Sequence, residues 1–206
     1  MSGLSKDFDI TSVASTSQDS QVNRKLRVTL LSRAWRSSTD GDLSTINREL
    51  AIQLAKHSNV EVSVFLLQCD EEDRNNAASH HVQLVKAKKK VIGCNPVDWL
   101  RNVPDGHVMD CVVGHGVSLG KQVQFIRKDH QCKWIQVVHT ASEELGMYKN
   151  IWQGEQLHKI EVELCEMADQ IVAIGPKLTD AYKGYLRGSK KEQNVINLTP
   201  SIFLNF

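Results

Sequence analysis

Two histidines stand where apolar runs of the sequence end. In "MDCVVGHG" the ring is His115, between Gly114 and Gly116; in "WIQVVHTASEEL" it is His139, followed by Thr140, Ser142, Glu143 and Glu144. A buried imidazole without a partner is costly, so each ring either finds a hydrogen bond inside the fold or faces a cleft. Neutral imidazole donates one hydrogen bond and accepts another, a combination that suits a sugar hydroxyl. For His115 two readings stand side by side: a structural ring satisfied by a backbone carbonyl, or one that lines a ligand wall together with Gly116. For His139, directly after a strand, a cleft is the expected surrounding. Thr140 or Ser142 then caps the next segment, and Glu143 and Glu144 either favour a helix N-terminus or bind hydroxyls.

A third turn, "SRAWRSSTDGDLSTINREL", carries Asp40, Gly41 and Asp42 between a strand and a helix. A residue without Cβ admits a ligand close to the backbone, and the free N–H groups of a helix start make a phosphate cradle. The stretch is neither G-x-G-x-x-G nor a Walker loop. Its carboxylates repel a phosphate unless Arg33 or Arg36 offsets them. The alternative is an N-cap at Asp40 or Asp42, with Gly41 as plain turn chemistry. Asp-x-Asp also suits Mg²⁺ or Mn²⁺, but the pair coincides with a good capping site, and no metal is expected.

No Ser-His-Asp or Cys-His arrangement stands out, and G-x-S-x-G is missing. His80 and His81 adjoin a polar loop and are expected at the surface. Glu155 and Glu163 form an E-x7-E pair expected on the solvated side of a long helix. Lys and Arg number 25 against 24 Asp and Glu, and a net charge of +1 offers no electrostatic case for nucleic acid. The densest basic run, Lys86, Lys88, Lys89 and Lys90, reads as a solvated strand end or loop. The cysteines (Cys69, Cys94, Cys111, Cys132 and Cys165) are odd in number and include no C-x-x-C, which fits free thiols in a reducing compartment. No stretch approaches the roughly 20 apolar residues of a membrane span, and the start lacks the apolar region of a secretory signal. The expected location is therefore cytoplasmic, with no membrane partner.

These turns need elements to position them. Residues 1–23, rich in Ser, Asp and Gln, read as a disordered leader. From residue 24 a regular pattern runs to 206. "LRVTLL" is a short apolar run expected of a strand covered on both faces. Leu43, Ile46, Leu50, Leu54 and Ala55 then recur at helical spacing, to about His57. "VEVSVFLL" is a second strand, "HVQLVKA" a third, and 96–101 a short helix. "MDCVVGHG" is a fourth strand, followed by a helix over Val117–Asp129 and the strand "KWIQVVH". A long helix with an apolar stripe at Leu157, Ile160, Leu164, Met167, Ala168 and Ile171 precedes the strand "QIVAIG". A helix from Pro176 to Leu186 and the strand "NVINLTP" complete the pattern. Strands alternating with amphipathic helices specify an α/β, Rossmann-like three-layer sandwich with a mostly parallel sheet. Ligands of such sheets bind outside the carboxyl ends of the strands, where the strand order switches.

The order and spacing of "STDGDLSTINRELAIQLAKH", "MDCVVGHG", "WIQVVHTASEEL" and "HKIEVELCEMADQIVAIGPKLTDAY" resemble the N-terminal half of a GT-B glycosyltransferase. The resemblance is to the retaining enzymes of family 4, which include sucrose synthases and sucrose-phosphate synthases, and it covers roughly residues 25–200. It implies a single GT-B half whose partner is a C-terminal, donor-binding domain across a cleft. It also implies a nucleotide-sugar such as UDP-glucose as donor substrate and no further cofactor. On this resemblance His139, with Thr140, contacts the donor sugar. Gly41 and Asp42 form the phosphate loop, and His115, Gly116 and Glu144 line the acceptor side. Family members commonly carry paired glycines in the first loop, where Asp40 stands here. The sequence stops after "NLTPSIFLNF", where a linker to the second domain is expected, and the family's phosphate-binding Arg/Lys pair and paired glutamates belong to that half. The expected function is hexosyl transfer only in company of that domain. The rival is a noncatalytic module at the head of a larger protein that recognises a sugar-nucleotide, a glycan or a protein. A Rossmann-type oxidoreductase is disfavoured by the missing glycine fingerprint. The open strand edge and cleft face also leave room for a homodimer.

Overall fold

The computed structural model describes residues 24–36, 43–89, 95–139 and 151–199. In chain order the elements are β1 (Leu26–Ala34), α1 (Leu43–Ala55), β2 (Val60–Gln68), α2 (Glu71–Ser79), β3 (Val82–Lys86) and a 3-10 turn (Pro96–Arg101). Then come β4 (Cys111–His115), α3 (Gly116–Asp129), β5 (Lys133–Val138), α4 (Ile151–Met167), β6 (Gln170–Ile174), α5 (Pro176–Tyr185) and β7 (Val195–Leu198). The strands form one seven-stranded sheet in the order β3-β2-β1-β4-β5-β6-β7. Every neighbouring pair is parallel. This is the α/β, Rossmann-like sandwich expected from the strand and helix alternation.

The central strands read as apolar runs because both faces of a parallel sheet are covered. Leu30, Val62, Val64, Leu66, Val82 and Leu84 are buried in one core cluster, with Ala51 of α1 and Ala77 of α2. Val112, Trp134, Val138, Ile171 and Ala173 are buried in the other, with Leu119 and Val123 of α3, Leu164 of α4 and Tyr182 of α5. Strand β1 pairs with β2 on one side and β4 on the other, so the strand order switches between β1 and β4. The carboxyl ends there open the crevice that places the site.

Helix α2 lies in a stretch from which no helix is expected, because "EEDRNNAAS" carries no apolar stripe. Its signal is instead a capping box: Asp70 accepts the N–H of Asp73, whose carboxylate accepts the N–H of Asp70. Helix α1 buries Ser44, Asn47 and Ala51, and Leu50, Leu54 and Ala55 of the predicted stripe pack, partly buried, against the same core. Asn47 donates from Nδ2 to the carbonyl of Leu31 at 2.8 Å, so a polar side chain fixes the helix against the end of β1. The amino end of the sheet is held by Asp110, which takes Nε and Nη2 of Arg27 at 3.0 and 2.8 Å. Among the described residues, Cys69, Cys111, Cys132 and Cys165 are free thiols. No helix among the described residues is long and apolar enough to cross a membrane.

Candidate functional site

The residues that end β4 and β5 meet. In the parallel register His115 lies opposite Val137, so the chain continuing past β5 carries His139 up beside it. His115 Nδ1 stands 2.7 Å from His139 Nε2. The rings are nearly parallel, at 18°, with centroids 5.0 Å apart. His115 is 1% exposed. Its Nε2 and the Nδ1 of His139 are buried and have no partner among the described residues. Burial holds both imidazoles neutral, His115 down to about 3 with the neighbouring ring as a second cause, and His139 down to about 4.

Neutrality fixes the logic of the pair. One ring must donate across the 2.7 Å contact and the other accept. If His115 Nδ1 donates, its Nε2 is an acceptor and His139 Nδ1 carries the proton. If His139 Nε2 donates, the outer nitrogens exchange roles. In either tautomer the pair has one outer donor and one outer acceptor, on opposite sides of the two rings, each able to take its own polar group.

The turn that carries His115 is built for close packing. Gly116 has φ +59°, the left-handed region, at the first residue of α3. A Cβ on Gly114 would stand 3.1 Å from the Cα of Gly120 and 2.7 Å from Val123 Cγ2, so α3 sits directly on β4. Gln136 in β5 donates from Nε2 to the carbonyl of Gly116 at 2.8 Å and locks the turn from below. His115 is a buried ring whose partner is His139 and not the backbone carbonyl of the structural reading, and it lines a cleft.

That wall belongs to a cleft of about 610 Å³ lined by His115, Gly116, Lys121, His139, Leu157 and Glu161, among others. A smaller pocket of about 290 Å³ adjoins it at the β1–β4 switch, lined by Ser32, Arg33, Asn47, His115 and Ser118. Arg33 donates to Ser118 Oγ there at 3.2 Å and is free of carboxylates among the described residues. Arg36, the other cation considered against the loop acids, is instead held by Glu72 and Asp73 of α2.

Of the residues singled out in the sequence, His115, Gly116 and His139 converge on this cleft. Gly41, Asp42, Thr140 and Glu144 lie outside the described residues, as does Asp40. Glu155 and Glu163 are exposed on α4, as are His80 and His81 near β3. The residue that sequence reasoning missed is Glu161, 4% exposed, whose Oε2 accepts the hydroxyl of Tyr182 at 2.7 Å. Its signal was present: an acid at helical spacing between Leu157 and Leu164, where the stripe calls for an apolar residue. Met167, assigned to that stripe, is 40% exposed instead. Among the described residues no group of three or more His, Cys, Asp or Glu is placed to hold a metal ion.

The architecture is similar to several solved glycosyltransferases. Sucrose-phosphate synthase from Thermosynechococcus elongatus superposes with a TM-score of 0.60 at 16% identity, over 85% of this chain and 48% of that one. UGT89C1 of Arabidopsis thaliana, complexed with UDP, gives 0.55 at 11% identity, over 86% of this chain and 52% of that one. Apo UGT2 of Phytolacca americana gives 0.52 at 10% identity, over 85% and 52%. The chain spans about half the length of these three structures. No curated protein matches the sequence. The family described as "Family 4 Glycosyltransferase in conflict systems" matches residues 30–205. With the match extending from β1 through β7, the chain belongs to that family of glycosyltransferases.

Proposed function

We propose that this chain is the acceptor-side domain of a nucleotide-sugar-dependent glycosyltransferase, using a donor such as UDP-glucose. The observation that carries the reading is the His115–His139 pair, which lines the cleft and holds two buried nitrogens of complementary role that are unpartnered among the described residues. Separate hydroxyls, one at each outer nitrogen, satisfy the pair; an outer nitrogen left unfilled is orphaned, at a cost of about 1–3 kcal/mol. His139, with Thr140, positions the donor sugar. Gly41 and Asp42 form the loop near the phosphates, and His115, Gly116 and Glu144 line the acceptor side. The partner is a second, donor-binding domain that closes the cleft. Glycosyl transfer needs both substrates oriented and the departing diphosphate stabilised by preorganised charge, and one wall does not supply that. The chain alone is therefore expected to bind and not to turn over.

Calorimetric titration with UDP-glucose and with UDP, repeated for His139→Ala, tests this reading. Tighter binding of UDP-glucose than of UDP, with the difference abolished by the substitution, is the expected result. Absence of heat with either ligand at millimolar concentration contradicts it and favours the rival, a module that recognises a protein or a glycan.

A further inference from the structure

Glu161 sits on α4, where the helix packs inward through Leu164 and Cys165. A residue needed there only for packing would be apolar. The carboxyl is buried, and no Lys, Arg or His forms an ion pair with it among the described residues; Tyr182 alone is bonded to it, through Oε2. Such a group is costly to keep unless it is used. Burial pushes its pKa up to about 7, against the lowering effect of the Tyr182 hydroxyl.

Its position shows what it is free to do. Oε1 receives no hydrogen bond from a described residue and lies 3.8 Å from where a Cβ of Gly116 would stand. The residue beside it therefore presents no side chain, and the space is open to the cleft that Glu161 lines with His115 and His139. The Tyr182 hydroxyl fixes the carboxyl from behind at 2.7 Å, leaving one oxygen aimed and unspent. Carbohydrate recognition requires several convergent polar groups in one concave wall, and this wall holds three.

We propose that Glu161 is a ligand-contacting residue of the cleft, its Oε1 accepting a hydroxyl of the bound sugar while Tyr182 holds the other oxygen in place. The inference rests on the reading of this cleft as a sugar site. It assigns the contact to the sugar and not to the nucleotide, and the test uses that distinction.

The full chain and its Glu161→Ala, Glu161→Gln and Tyr182→Phe variants are titrated calorimetrically at pH 8 with UDP-glucose and, separately, with UDP. Glu161→Ala is expected to weaken UDP-glucose about tenfold, the range of one hydrogen bond to a charged group, and to leave UDP unchanged. Tyr182→Phe is expected to weaken UDP-glucose about threefold, again with UDP unchanged. Glu161→Gln keeps the shape and the Tyr182 bond, so it serves if the alanine variant does not fold; its amide offers no acceptor to the cleft, and at least a threefold loss for UDP-glucose is expected. Equal losses for both ligands would make Glu161 a structural residue and overturn the assignment, as would unchanged UDP-glucose affinity in the variants. A wild-type chain that binds neither ligand overturns the sugar-site reading itself, and this assignment with it.

Discussion

His115 Nδ1 and His139 Nε2 share one hydrogen bond at 2.7 Å, and that bond ties the outer nitrogen of each ring to the state of the other. The two residues come from different strand ends, 24 positions apart in sequence, and meet because β4 and β5 are neighbours in register. The pairing leaves one donor and one acceptor nitrogen buried without a partner among the described residues, on two rings that burial keeps neutral.

Both rings have folded-state pKa values below the unfolded value of 6.5, so acid favours the unfolded chain. Their effect on stability is nil above the unfolded pKa and grows as pH falls toward 4. His139 alone, lowered to about 4, is expected to reduce stability by roughly 3 kcal/mol between pH 6.5 and 4. Urea denaturation across that range measures the loss. Imidazole nitrogen NMR is expected to show neutral rings at both positions from pH 8 to 5.5, and a ring that titrates near 6.5 contradicts the account.

Glu161 works with the opposite sign. Its folded pKa is raised to about 7, so the folded chain holds a proton that the unfolded chain has lost. The stabilisation is fully present below the unfolded pKa of 4.5 and is lost as pH rises through 7. Glu161→Gln carries no such penalty. It is expected to be more stable than wild type by roughly 2–3 kcal/mol at pH 8, the gap closing toward pH 5. Equal stability of the two proteins at pH 8 would show the carboxyl to be better solvated than its burial implies.

Gly114→Ala tests the packing of the His115 turn. The new Cβ meets the Cα of Gly120 at 3.1 Å and its nitrogen at 3.3 Å, backbone that cannot swing aside. Overpacking of this kind costs about 1–3 kcal/mol and lowers Tm by about 3–10 °C in a chain of this size. Thermal melting measures it, and an unchanged Tm contradicts the close contact of α3 with β4.

At the far end of the sheet, Asp110 takes two nitrogens of the Arg27 guanidinium and the Arg27 backbone N–H at 2.9 Å. These bonds hold its carboxyl well below the usual carboxylate range, so its contribution is present above the unfolded pKa of 3.8 and lost as pH falls below it. Asp110→Asn is expected to lower Tm by about 3 °C at pH 7, a discounted figure for a partly exposed pair, and by less at pH 3. An equal effect at both pH values would mean the charge is not what stabilises the pair.

Much of the fold was legible because buried parallel strands announce themselves as apolar runs, from "LRVTLL" to "QIVAIG". Helix α2 was not, since its evidence is a reciprocal cap between Asp70 and Asp73 rather than a periodic face. The apolar face of α1 was legible, since Leu50, Leu54 and Ala55 pack on the core, but the burial of Asn47 was not: it bonds the Leu31 carbonyl, and hydropathy gives no sign of that. At the site, His115 and His139 were each visible as strand-end rings, but their hydrogen bond depends on which strands pair, and that is a tertiary fact. Glu161 was readable as a break in a stripe and lost among the other acids of the helix. The Asp40–Gly41–Asp42 loop, Thr140 and Glu144 lie outside the described residues and stand as the sequence presents them.

On the proposed function, the outer nitrogens of the histidine pair, unpartnered among the described residues, receive hydroxyls of the bound sugar. Imidazole nitrogen–proton spectra of the chain, titrated with UDP-glucose and then with UDP, test it directly. Saturable shifts are expected at His115 Nε2 and His139 Nδ1 with UDP-glucose, and markedly smaller ones with UDP. Unshifted resonances at millimolar UDP-glucose would contradict it.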